Sequence, residues 1–163
     1  MKKILFFMAL SASLVGTAQA EPSNDAPVFI IKMADSSLMD TQEGRLAAGY
    51  GSTQEIRDYG TRLVKDQEML YADLQRLAAS KNITLPGSIS EKKSKALQKL
   101  GTLRGKQFDR RFLRMIKIDH KRDVKQYKKA SEFDDAATKE FAQKYLTALE
   151  NHLDMVKKLQ QGN

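Results

Sequence analysis

A chain of 163 residues with 28 Lys and Arg against 20 Asp and Glu carries a formal charge of +8. It has no cysteine, which excludes disulfides, thiol catalysis and a lipid-bearing N-terminal cysteine, so the apolar core alone must hold the fold. With no tryptophan and 7% aromatic residues, base stacking on nucleic acid is a poor match, and no specific nucleic-acid partner is expected.

The first 20 residues read as a signal peptide. Lys2 and Lys3 form a basic start, Ile4 to Val15 a short apolar run, and Ala18-Gln19-Ala20 a small-x-small cleavage site. No other apolar run approaches the ~18 residues that a bilayer crossing requires, so no transmembrane segment is expected. The expected destination is the periplasm or the exterior, including the outer-membrane surface. Cleavage removes Lys2 and Lys3 and leaves +6, and residues 21–163 have the length of one domain.

Glu21 to Ala26, with Pro22, should fray. From Pro27 the spacing predicts a helix: Ile30, Met33, Ser37, Thr41, Gly44 and Ala48 recur at three- and four-residue steps, flanked by Ala34 and Asp40. The small residues imply a closely approaching neighbour. Gly49 and Gly51 end this helix, and Ser52 or Thr53 can cap the next.

The second helix carries Ile56, Tyr59, Leu63, Leu70, Leu74 and Leu77 on one stripe, with Gln67 where a leucine would be expected. It ends near Ser80, before the turn-rich Lys81-Asn-Ile-Thr-Leu-Pro-Gly87. Ser90 should cap a short basic helix closed by Gly101. The third long helix starts near Lys106, with Phe108, Phe112, Met115, Ile116, Tyr127 and Ala130 inward. Asp134 is the expected cap of the fourth, whose inner face holds Phe141, Tyr145, Leu149, His152, Leu153, Val156 and Leu159. Met33, Met69, Met115 and Met155 sit at helical spacing, as core filler does.

No segment alternates for long enough to be a strand. Connections that run short, long, short give two antiparallel hairpins joined by one crossover. That is a ferritin-like antiparallel four-helix bundle, with a short extra helix between its second and third long helices. A weak internal repeat agrees: Tyr59, Leu63, Asp66-Gln67 and Leu74 align with Phe112, Ile116, Asp119-His120 and Tyr127.

The motifs Ala34, Asp40-Thr-Gln-Glu-Gly44-Arg-Leu-Ala47, Leu63-Val-Lys-Asp66-Gln67, Phe108-Asp109, Asp119-His120 and Glu150-Asn-His152-Leu resemble, in order and spacing, the bacterial DUF4142 family. The resemblance runs from Phe29 to about Leu159. It implies a ferritin-like bundle behind a signal peptide, often described as an outer-membrane protein, and no established activity. Two departures stand out: Asp66-Gln67 replaces the Asp-His usual in the second helix, and Asp40 stands where a Glu is common.

Two chemistries compete for the polar residues. Two-metal carboxylate bundles place Glu-x-x-His on two helices, because residues three apart share a face. Here Lys117, Leu149 and Val64 occupy the positions three before His120, His152 and Gln67, so that signature is absent. A looser divalent-metal set remains, Asp40, Asp119, His120, Asp123 and His152, and no other cofactor is expected. The same residues, with Asp66 and Gln67, read alternatively as a buried polar network in which Asp119 or Asp123 satisfies His152 and fixes helix register. Counted from the hairpin turn, His152 lies about six residues further along its helix than His120, roughly 9 Å of axial offset.

The second chemistry is electrostatic. Residues 91–130 hold 15 Lys and Arg against 4 Asp and Glu, and the remainder is net acidic. Arg110, Arg114, Lys117, Lys121, Lys125 and Lys128 form an outward stripe suited to an anionic membrane surface or an acidic polysaccharide. No nucleophile elbow or phosphate-cradling glycine loop accompanies it, so a non-enzymatic cell-envelope binding or stress-associated module is the expected function.

Overall fold

The structure, a computed structural model, describes residues 25–162; the expected signal peptide lies outside them. Five helices follow in order: α1 (Asp25–Tyr50), α2 (Gln54–Ser80), α3 (Glu91–Gly101), α4 (Gly105–Ala130) and α5 (Ala136–Gly162). There is no strand among the described residues. α1 packs on α2 and α4 on α5 as hairpins, while α1 also meets α4 and α2 meets α5. The 81–90 connection and α3 make the crossover, with α3 lying against α1 and α4.

α1 begins two residues before the expected Pro27, because a proline in the first turn gives up an amide that has no intrahelical partner there. Its small residues do mark a close crossing: a Cβ built on Gly44 would lie 2.9 Å from the Gly60 carbonyl oxygen, and one on Gly60 2.6 Å from the Ala48 nitrogen.

Thr53 caps α2 by accepting from the Ile56 amide at 3.3 Å. Ser52 does not cap. Its amide donates to Asp109 Oδ1 at 3.0 Å and its hydroxyl to Asp109 Oδ2, tying the α1–α2 turn to α4. Ser90 makes no side-chain cap either; its amide and hydroxyl both donate to Asp35, pinning the crossover to α1. Gly105 opens α4 at φ +54°, a conformation glycine adopts without strain.

Asp135, not Asp134, caps α5, accepting from the Thr138 amide at 2.8 Å, and it also pairs with Lys81. These bonds hold the Asp135 carboxyl down at about 2. A depressed acid contributes stability above its unfolded value near 3.8 and loses it as the pH falls through 2. Asp135→Ala is therefore expected to cost about 1 kcal/mol at pH 7. In urea titrations across pH, that difference should vanish toward pH 2; a constant difference would show that the cap is not the cause.

The core has two apolar clusters. One gathers Phe29, Ile30, Met33, Leu70, Leu74, Tyr127, Phe141 and Leu149; the other gathers Met39, Ile56, Leu63, Phe108, Phe112, Ile116 and Val156. Every long helix passes from one cluster to the other through a short polar stretch. Met69 departs from expectation: it is 52% exposed, because it lies just off the inner edge that Leu70 occupies.

Candidate functional site

Between the two clusters lies a layer built from all four long helices. α1 supplies Asp40 and Glu43, α2 Gln67 and Tyr59, α4 His120, and α5 His152, all buried. The i, i+3 spacing puts both α1 carboxyls on the inner face. His120 and His152 meet edge to face with ring centroids 5.6 Å apart, and Tyr59 packs 5.7 Å from His152. The expected 9 Å offset between the histidines is therefore not observed. Tyr127, close to the end of α4, already faces Phe141, which lies well inside α5, so the link absorbs part of the difference and ring reach closes the rest.

The hydrogen bonding is incomplete. Gln67 donates to Asp40 Oδ2 at 3.2 Å, and Ser37 donates to the Gln67 carbonyl at 3.1 Å. Asp40 Oδ1, both Glu43 oxygens, the Tyr59 hydroxyl, both His120 nitrogens and His152 Nδ1 are buried without a hydrogen-bond partner among the described residues. Asp40 Oδ2 lies 3.8 Å from His120 Nδ1, too far for a hydrogen bond. Buried polar groups in native proteins are almost always satisfied, so such a concentration in one layer needs a cause.

Burial drives the Asp40 and Glu43 carboxyls well above the usual carboxylate range. Asp123 and Asp119 push Asp40 the same way, and Asp40 and Asp119 push Glu43. Burial likewise pushes the His120 imidazole down to about 3, with His152 and Arg122 adding to the effect. It also lowers His152, where Asp66 opposes it. Burial thus favours the protonated form of both acids and the unprotonated form of both imidazoles.

The sequence-predicted residues divide into two groups. Asp40, Gln67, His120 and His152 come together in the layer. Asp66 sits at its edge, half-buried, with Oδ2 3.1 Å from His152 Nε2; this, rather than Asp119 or Asp123, is the partner of His152. Asp119 and Asp123 are drawn to Arg122 instead, at 2.7 and 3.0 Å, because its guanidinium lies beside both on the same helix. Asp123 is still buried, whereas Asp119 faces a groove. Glu43 was missed, although its position three residues after Asp40 was a legible signal.

A fold-implied dinuclear carboxylate centre does not fit. No Glu-x-x-His pair is present, and among the described residues no three His, Asp or Glu side chains converge on one point as ligands do.

The basic stripe is also partly consumed. Lys117 donates to Gln160 at 2.6 Å and Lys128 pairs with Glu150 at 2.9 Å, both on α5, while Arg110, Lys121 and Lys125 are exposed. Arg114 points instead into a groove of about 510 Å³ between α1, α3 and α4. Lys92, Lys93, Arg111 and Arg122 share its walls, with Met39, Ala96 and Met115 below and Ile118, 56% exposed, at the rim. Lys93 and Arg122 are tied to Asp35 and to Asp119 and Asp123; Lys92, Arg111 and Arg114 make no salt bridge among the described residues, although the charge of Arg111 acts on the Glu43 carboxyl. Those charges were visible in sequence, but the concavity was not.

The family DUF4142, a domain of unknown function, matches residues 11–159. The chain belongs to the DUF4142 family. A comparison with curated proteins finds no match. Among solved structures, a DUF305 fragment from Deinococcus radiodurans superposes with a TM-score of 0.75, over 87% of this chain and 99% of that one, at 12% identity. That likeness supports the all-helical bundle and nothing finer. In this DUF4142 chain the Phe108-Asp109 motif is architectural: Phe108 fills the cluster around Ile56 and Leu63, and Asp109 holds the α1–α2 turn.

Proposed function

We propose that this protein is an exported, non-enzymatic module of the cell envelope that binds anionic membrane surface through the basic groove. The observation that carries this reading is the groove itself: three cationic side chains, Lys92, Arg111 and Arg114, outside any salt bridge among the described residues, set above an apolar floor. Phosphate headgroups would engage the walls, and the chain segments beside them the floor formed by Met39 and Met115 and the exposed Ile118. The uneven charge supports the reading, because the positive excess is confined to residues 91–130, the stretch that builds α3 and α4. No helix among the described residues is long and apolar enough to cross a membrane, which suits attachment at a surface.

Binding to phosphatidylglycerol vesicles should fall steeply with salt, since exposed charges are screened over about 10 Å at 0.1 M. Lys92→Gln/Arg111→Gln/Arg114→Gln should weaken it about a hundredfold, at ~1 kcal/mol per charge. Lys117→Gln/Lys121→Gln/Lys125→Gln should weaken it less. Equal binding to phosphatidylcholine, or a groove variant that binds as the parent does, would end the reading. Stronger retention on an acidic polysaccharide than on vesicles would move the partner from lipid to glycan.

A further inference from the structure

The polar layer lies where the two hairpins meet. Asp40, Glu43, Tyr59 and Gln67 come from α1 and α2, and His120 and His152 from α4 and α5. An apolar cluster closes it off on either side. Within it, both Glu43 oxygens, Asp40 Oδ1 and three of the four imidazole nitrogens have no hydrogen-bond partner among the described residues. Ionised carboxyls only accept, and a neutral imidazole keeps one accepting nitrogen, so what the layer lacks is donors. Protonated carboxyls supply them. The Asp40 carboxyl, with Oδ2 3.8 Å from His120 Nδ1, is about 1 Å short of donating to that ring.

Charges outside the layer do not stand in for those protons. Lys93 of α3 and Arg122 and Arg111 of α4 favour ionised acids, but Lys93 is bound to Asp35 and Arg122 to Asp119 and Asp123. Asp119 and Asp123 themselves oppose ionisation of Asp40. From α2, Tyr59 and Gln67 bring no charge near neutral pH, and Asp66 and Arg62 act on His152 with opposite signs.

We propose that this layer is an acid-stabilised clasp between the two hairpins, shut while Asp40 and Glu43 carry protons and released as rising pH removes them. The clasp requires nothing of the basic groove, and either reading can fail alone. Burial raises both acids above their ordinary 3.8 and 4.5, so their share of the stability is complete below those values and is lost as the pH climbs toward the folded ones. Asp123, raised as well, acts in the same direction. Burial lowers both histidines, so their share is complete above 6.5 and is lost as the pH falls, for His120 through about 3. Between 4.5 and 6.5 the unfolded chain therefore holds its two layer protons on the histidines and the folded chain on the acids, and stability is level. Above 6.5 the folded chain holds both and the unfolded chain neither. The unfolding constant should then climb by up to about a hundredfold per pH unit until the acids ionise.

The test is urea unfolding of the tag-free chain at steps from about pH 5 to about pH 9. Glu43→Gln and Asp40→Asn keep the shape of the protonated acids and cannot ionise. Each should cut the steepest climb from about a hundredfold to about tenfold per pH unit, and each should gain on the parent as the pH rises. The parent gives a second reading that stands even if a variant fails to fold. Unfolded by urea near pH 7.5 in weak buffer with an indicator dye, it should release about two protons per chain. Release of less than one proton, or parent and Glu43→Gln profiles that stay parallel across the whole range, would overturn the proposal.

Discussion

Glu43→Met is expected to stabilise the protein by about 1–3 kcal/mol. Both Glu43 oxygens are buried and unpartnered, and its side chain is fully enclosed. A buried polar group without a partner costs about 1–3 kcal/mol, and methionine fills a similar volume with a flexible apolar chain. The usual expectation for a buried residue is therefore reversed in sign. Urea unfolding of the two proteins measures the difference directly. If Glu43→Met is instead destabilising, Glu43 has a partner in the folded chain or helps to fix helix register.

Gly60→Ala is expected to cost about 2–3 kcal/mol, although alanine is the better helix former by ~1 kcal/mol. The added Cβ would lie 2.6 Å from the Ala48 nitrogen, 2.7 Å from the Gly44 oxygen and 2.8 Å from the Ala47 Cβ. Two of those three are backbone atoms, so no rotamer change relieves the clash and α1 must move away from α2. Gly44 is the neighbour of Glu43, and the displacement would carry the α1 carboxyls with it. Gly49→Ala is the control, since nothing lies within 4 Å of its Cβ. It should be neutral or slightly stabilising. Equal losses for the two variants in urea unfolding would show that the α1–α2 crossing is not close-packed there.

Both expectations turn on contacts between helices, and this is where the sequence ran out. The apolar stripes of α2, α4 and α5 were legible because a 3.6-residue period on an amphipathic helix is set by that helix alone. The caps were less so: Ser52, Ser90 and Asp134 are all plausible cap types, and distant partners or one residue of register decided against each. Ser52 was claimed by Asp109, 57 residues away, and Ser90 by Asp35, 55 residues away. Local preference cannot anticipate such competition.

By itself the sequence determined an all-helical, cysteine-free bundle of two hairpins, with polar residues on inward faces and its positive charge gathered in residues 91–130. Those properties follow from side-chain period, composition and link length, each a local quantity. Only the tertiary structure decided which inward acids meet the histidines. It withdrew Asp119 and Asp123 to Arg122, set Asp66 behind His152, and added Glu43 to the layer. The physical reason is that burial is a property of four helices together. One helix's pattern tells which face turns inward, but which groups find partners there depends on the heights at which the other three cross it.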